Sequence, residues 1–208
     1  DKTRYFGRAV TDAVEPPRRA KDGSPIYSTT IDDFYDHIGD AFDDGRPFIY
    51  VLDSMDALTT DQETAKAKEL KAFRRRERKP GATVKAPAGS FGMDKAKRNS
   101  SGMRGVMARL RKSDSILIVI SQTRDTVDNM SYETKTRGGG RSLRFYATME
   151  VWTSVVQKLT KSVKGEKLQV GILSKLQIKK NRVSGKEWAV EVPLYFSYGI
   201  DDIGSCVD

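Results

Sequence analysis

Two uninterrupted apolar runs constrain this chain more than any other feature. Phe48-Ile49-Tyr50-Val51-Leu52 leads into Asp53-Ser54, and Ile116-Leu117-Ile118-Val119-Ile120 leads into Ser121-Gln122. A strand with one wet face alternates apolar and polar side chains. An unbroken run instead fits a strand buried on both faces, as in a parallel sheet. Helical patterns precede both runs. Thr30 reads as an N-cap, with Asp32 and Asp33 in the first turn and Ile31, Phe34, Tyr35, Ile38 and Phe42 on one apolar face, ended by Gly45. Residues 61–79 and 95–112 read as two more helices, the second with Met103, Val106, Met107 and Leu110 on its apolar side. A helix over 1–14, carrying Tyr5, Phe6, Ala9, Val10 and Ala13, is stopped by Pro16-Pro17.

After Gln122 a polar segment runs to Gly138-Gly139-Gly140, and Leu143 to Tyr146 fits a helical turn. Strand character then dominates 148–159, 168–179 and 188–196, punctuated by Lys164-Gly165 and Ser184-Gly185 as hairpin turns. The order predicts an α/β fold: a mostly parallel central sheet flanked by helices, with antiparallel C-terminal strands.

The 208 residues allow one good-sized domain, or a core with a small lobe. A net charge of +9 and a pI near 9.6 favour a polyanionic partner. Between Lys71 and Lys112 the only acids are Glu77 and Asp94. A solvated helix face usually mixes both signs, so a one-sign band fits a nucleic-acid backbone; a basic insertion with no partner is the alternative. The band is too poor in apolar residues for an interfacial membrane anchor. The single Cys206 excludes an internal disulfide, and the single His37 excludes a histidine cluster. No apolar run approaches the roughly 20 residues that span a bilayer, and the polar, charged residues at the start do not read as a secretory signal.

Several polar groups stand where chemistry is plausible. Asp53 ends a buried strand, and open α/β sheets bind ligands at that edge. The Gln122 amide, at the second strand's tip, can donate to a phosphate and accept from water without adding charge. Gly138–Gly140 lets backbone approach a ligand closely, beside Lys135, Arg137 and Arg141. Lys179-Lys180-Asn181-Arg182 presents cations before a turn. Taken singly, each also fits an ordinary polar strand end or surface loop.

Together they resemble RecA-type recombinases, most closely phage-type RecA-like proteins, over roughly 46–208. Ile49-Tyr50-Val51-Leu52-Asp53-Ser54-Met55-Asp56-Ala57-Leu58 resembles that family's second nucleotide motif. Ile118-Val119-Ile120-Ser121-Gln122-Thr123-Arg124 resembles the strand leading into its second DNA-binding loop, and Gly139-Gly140-Arg141-Ser142-Leu143-Arg144-Phe145-Tyr146-Ala147 the segment that closes it. Lys179-Lys180-Asn181-Arg182-Val183 resembles the basic strand end that reaches a neighbour's nucleotide, and Tyr198-Gly199-Ile200-Asp201 the end of the core.

The resemblance implies a RecA-like P-loop NTPase core over 1–208, with a first DNA loop region at 71–98 and a second at 123–140. It implies ATP and Mg2+ as cofactors, single- and double-stranded DNA as partners, a helical homo-oligomeric filament, and a cytoplasmic setting in a bacterial or phage-infected cell. Asp53, with Ser54, would hold the metal's water shell. Gln122 would sense the terminal phosphate, and Lys180 and Arg182 would act in trans. Phe145 would pack at the protomer interface. Lys97, Ser100 and Arg104 would touch the DNA backbone, as would Arg124, Lys135, Arg137, Gly139, Gly140 and Arg141 in the second loop.

The sequence departs from the pattern in places. It holds no Gly-x-x-x-x-Gly-Lys-[Ser/Thr] segment, and the family's upstream catalytic glutamate has no counterpart. With a polar start at Asp1, this reads as a fragment or processed chain lacking the phosphate-binding loop. The region 71–95 is longer and more basic than the usual first loop. A RecA-fold helicase or loader motor is the nearest alternative, and a non-enzymatic basic DNA-binding module the alternative from a different class.

Overall fold

The computed structural model describes residues 2–77, 93–125, 135–137 and 141–201. They fall into two compact units: Asp1–Pro17 with Ala147–Asp208, and Arg18–Tyr146. In chain order the elements are α1 (Lys2–Ala13), α2 (Ile31–Asp43), β1 (Ile49–Leu52), α3 (Asp61–Glu77), α4 (Met93–Lys112), β2 (Ile116–Val119), β3 (Thr123–Asp125), β4 (Lys135–Arg137), α5 (Arg141–Tyr146), β5 (Met149–Val163), β6 (Glu166–Asn181), β7 (Ala189–Tyr195) and β8 (Gly199–Ile200).

The unit Arg18–Tyr146 starts from a well-capped helix. Thr30 accepts from the Asp33 N–H at 3.1 Å, and the Asp33 carboxylate accepts from the Thr30 N–H at 2.9 Å, a reciprocal capping box. Asp33 also takes the N–H and hydroxyl of Thr29. Those bonds, led by the two backbone donors, hold its carboxyl down at about 2. Gly45, at φ +71°, donates back to Phe42 and closes the other end. A second box, Thr60 with Glu63, opens α3. The residues before these two helices are tied together, since the Ile31 N–H donates to Thr59 and the Thr59 N–H to Thr29.

The apolar face expected on α2 is the heart of the core. Ile31, Phe34 and Ile38 are fully buried and Phe42 nearly so, packed with Leu52, Met55, Leu58, Met103, Val106 and Leu143. Helix α4 lies alongside α2. Arg98 pairs with Asp32, and Arg109 with Asp43. Both pairs have the same sequence offset, 66, so the two helices run in the same direction. Between them the Tyr35 hydroxyl donates to the Asn99 carbonyl at 3.1 Å, and a Cβ on Gly102 would stand 2.3 Å from the Tyr35 ring. Burial pushes the Tyr35 hydroxyl pKa up. Close helix approach here therefore requires glycine.

Strands β1 and β2 pair in parallel, Ile49 with Ile116 through Leu52 with Val119. Expected burial on both faces does not hold. Tyr50, Leu52, Leu117 and Val119 face the helices, whereas Ile49 (66% exposed), Val51, Ile116 and Ile118 carry an exposed face. The described helices of this unit that enter the core, α2, α4 and α5, pack on the other side. Nor do the described strands form one mostly parallel sheet. Parallel pairing is confined to β1–β2; β3–β4 is a short antiparallel pair, and β5-β6-β7-β8 is a separate antiparallel sheet. The segment read as a polar loop from 123 thus begins and nearly ends in paired backbone.

The other unit contains α1 and the antiparallel sheet. Lys164 and Gly165, both at positive φ, turn β5 into β6, as the Lys-Gly pair predicts. Ser184-Gly185 turns β6 toward β7, with the Gly185 N–H donating to Asn181. Helix α1 is interrupted at Gly7, and its expected apolar face is exposed at Ala9, Val10 and Ala13. A Cβ on Gly171 would lie 2.4 Å from the Leu194 carbonyl across the β6–β7 pair.

Two outcomes follow for stability. Gly171→Ala forces backbone apart and should cost about 1–3 kcal/mol, read as a lower thermal midpoint. Asp33, depressed when folded, stabilises above the ordinary carboxylate range; that contribution disappears as pH falls from about 4 to about 2. Urea unfolding at pH 5 and pH 2.5 should therefore show a smaller acid loss for Asp33→Asn than for the wild type.

Candidate functional site

The parallel register brings two strand tips to one edge. The Ile120 N–H donates to the Leu52 carbonyl at 2.9 Å, and the Met55 N–H to the Ile120 carbonyl at 2.9 Å. Asp53 and Gln122 therefore leave the same C-terminal edge of the β1–β2 pair, and both are exposed. The Asp53–Ser54 peptide is cis, and Ser54 is half-buried. A single 3-10 turn, Met55–Ala57, follows. Its Asp56 accepts from the Ser121 hydroxyl at 2.9 Å and from the Gln122 N–H at 2.6 Å. Asp56 was part of the quoted strand motif but had no assigned role. A second acid three residues after the first, on the same strand exit, is the signal that could have found it.

The same edge feeds the second loop region. Thr123–Asp125 pairs with Lys135–Arg137 immediately after Gln122. Side chains of Arg124, Lys135, Arg137 and Arg141 lie outside the described residues, as do Gly139 and Gly140. Leu143 anchors α5 in the core. Phe145, on the same short helix, is 67% exposed with its ring edge-on to Tyr146.

The basic band resolves into separate edges. Arg98 and Arg109 are paired by acids of α2, and the Lys95 ammonium donates to the Leu58 carbonyl at 2.7 Å. Those acids lie outside the band, so a window of sequence could not reveal them. Lys97 and Arg104 are exposed seven residues apart, on the side of α4 away from Met103 and Val106. Ser100 lies between them and accepts from the Arg104 guanidinium through its carbonyl at 3.4 Å. Arg111 continues the same row, and none of the three cations makes an ion pair among the described residues. The centre of the first loop region lies outside the described residues, but its flanks are helical, in α3 and α4.

Lys180 and Arg182 belong to the other unit, at the end of β6. Lys180 sits opposite Glu150 in the β5–β6 register, and the Arg182 N–H donates to the Thr148 carbonyl. Between them Asn181 organises the turn: its side chain donates to Ser184 and Lys186 and accepts from the N–H groups of Val183 and Ser184.

A family model described as the RecA N-terminal domain matches residues 84–201. The chain belongs to this family. Protein RecA of Thermus thermophilus is 28% identical over 130 residues, 62% of this chain and 37% of that protein. Protein RecA of Thermus aquaticus is 31% identical over 109 residues, 52% of this chain and 31% of that protein. This RecA-family chain spans about a third of the length of the curated relatives it matches.

The two strand tips offer one exposed carboxylate and one amide, a donor set compatible with the outer water shell of Mg2+. Hydrated Mg2+ takes one or two carboxylates, and Asp53 offers one at an exposed strand tip. Among the described residues no cluster of three or more His, Cys, Asp or Glu side chains could hold a metal alone, and the phosphate-cradling motif is not in this sequence. No helix among the described residues is long and apolar enough to cross a membrane.

Proposed function

We propose that the chain is the sensing and DNA-gripping part of an ATP-dependent, filament-forming recombinase that carries out DNA strand exchange. One observation carries the reading: Asp53 and Gln122 leave the same edge of a parallel strand pair, and the pairing of Thr123–Asp125 with Lys135–Arg137 begins directly after Gln122. A carboxylate and a neutral amide side by side suit, respectively, the water shell of a metal and the end of a phosphate chain. ATP with Mg2+ supplies a phosphate group whose presence or loss changes the charge at this edge. Asp53, with Ser54, would hold the metal's water; the Gln122 amide would donate toward the phosphate, and its backbone, which continues into β3, would carry the change onward.

DNA is gripped by cations on two elements. Lys97 and Arg104, with Ser100 between them, offer an exposed row for a phosphate backbone. Arg124, Lys135, Arg137, Gly139, Gly140 and Arg141 act in the second loop region. Lys180 and Arg182 serve a neighbouring protomer's nucleotide, and the exposed Phe145 ring packs at that interface. The exposed ring and the RecA-family membership support assembly into a filament.

The test uses the protein expressed from its complete reading frame. Single-stranded DNA should stimulate its ATPase, and Gln122→Ala should abolish the nucleotide dependence of DNA affinity while leaving nucleotide-free binding intact. No stimulation by DNA would sink the reading. A second measurement addresses the grip: Lys97→Ala and Arg104→Ala should each weaken binding across all sequences and lower the salt slope of the affinity by about 1. An unchanged slope removes these residues from the interface.

A further inference from the structure

The tip of β2 is held by a group that neither strand provides. The ladder between β1 and β2 ends at the Ile120 N–H, and the next backbone bond, Met55 to Ile120, uses the carbonyl. Beyond that point the Gln122 N–H has no strand partner. Asp56 supplies one at 2.6 Å, and its same Oδ2 takes the Ser121 hydroxyl at 2.9 Å. Hydrogen bonds to a carboxylate are about twice as strong as neutral ones. We infer that Asp56 is a positioning residue that pins the Gln122 backbone to the exit of β1. The inference rests on the proposed switch role of Gln122 and deepens it.

The other carboxylate oxygen of Asp56, Oδ1, has no hydrogen-bond partner among the described residues, so both of its described bonds run through Oδ2 to the tip of β2. The carboxylate gains its place through the two donors at the tip of β2. Connectivity makes this a coupling device. Asp56 stands three residues after Asp53 in a tight 3-10 turn whose Ala57 N–H bonds back to Ser54. A displacement at Asp53 therefore moves the carboxylate that holds Gln122. The Gln122 backbone leads directly into β3, so the two strand tips and the stem are linked through one side chain.

The experiment measures hydrogen exchange of the Gln122 amide by NMR in protein labelled at glutamine and isoleucine and expressed from the complete reading frame, with the Ile116 and Ile120 amides as internal references. In Asp56→Ala the Gln122 amide should exchange about tenfold faster or more, as expected for losing a charged hydrogen bond. Ile116 and Ile120 should keep their protection. Asp56→Asn retains an oxygen acceptor and should fall between the two. The nucleotide-dependent gain in single-stranded DNA affinity should follow the same order: wild type, Asn, Ala. Unchanged exchange at Gln122, or an equal rise at all three amides, overturns the inference. If the alanine variant does not fold, the asparagine variant decides by the same two criteria. Gln122→Ala separates the two ideas. If it keeps the full nucleotide response while the Asp56 variants release the amide, the switch reading fails and the positioning role stands. If it abolishes the response while the Asp56 variants change neither amide nor response, the positioning role alone fails.

Discussion

The parallel pairing of β1 with β2 is the constraint on which the rest of the unit Arg18–Tyr146 depends. It joins residues 67 positions apart, from Ile49–Ile116 to Leu52–Val119. Parallel strands point their C-terminal ends the same way, so one pairing decides that Asp53 and Gln122 share an edge. The same register fixes which side chains face the helices. A slip of one residue would turn Leu52 and Val119 outward and bring Val51 and Ile118 in. The polar edge and the apolar core are therefore set by a single event, and Leu52 and Met55 sit at their junction, buried directly beside the Asp53 exit.

What could be read from the sequence was mostly local. The Thr30 cap, the apolar stripe of α2, the Gly45 stop and the Lys164-Gly165 and Ser184-Gly185 turns all depend on neighbours within a few residues. They form as their spacing predicts. The coverage of the sheet was not local. Unbroken apolar runs report that a strand can be buried on both faces, but not which elements cover each face. Here Ile49, Val51, Ile116 and Ile118 lie on the exposed side. Sheet composition failed for a related reason: long strand runs such as β5 and β6 form their own antiparallel sheet through a two-residue turn, independent of the β1–β2 register. The candidate strand-tip residues were legible because strand ends are visible in sequence. Asp56 was visible only as a second acid on the strand exit; its partners, 65 and 66 positions away, were not.

Charge shows the same division. A count over the basic band treats every cation alike. Folding sorts them by helix angle. Arg98 and Arg109 fall on the edge of α4 that meets α2, where Asp32 and Asp43 take them and Arg109 also covers the Phe42 ring. Exposed pairs of this kind contribute about 0–1 kcal/mol each, so their main effect is to fix how the helices align. Lys97, Arg104 and Arg111 fall roughly a third of a turn away and make no ion pair among the described residues. One helix thus carries both the clasp to its neighbour and a cationic row, separated by less than half a turn.

The two cations at the end of β6 illustrate why placement matters as much as charge. Lys180 lies within the β5–β6 ladder, and Arg182 is tied through its N–H to Thr148. Asn181 between them satisfies four groups of the following turn with one side chain. An asparagine can do this because its amide offers both a donor and an acceptor within reach of a tight turn. Aspartate would lose the donors to Ser184 and Lys186, and glutamine would place the amide one bond too far. The backbone under both cations is therefore held by strand pairing and by the Asn181 turn. Gln122 is held on the same principle by a different device, a carboxylate from the adjoining strand exit. In both places one polar side chain ties down the backbone where a strand ends.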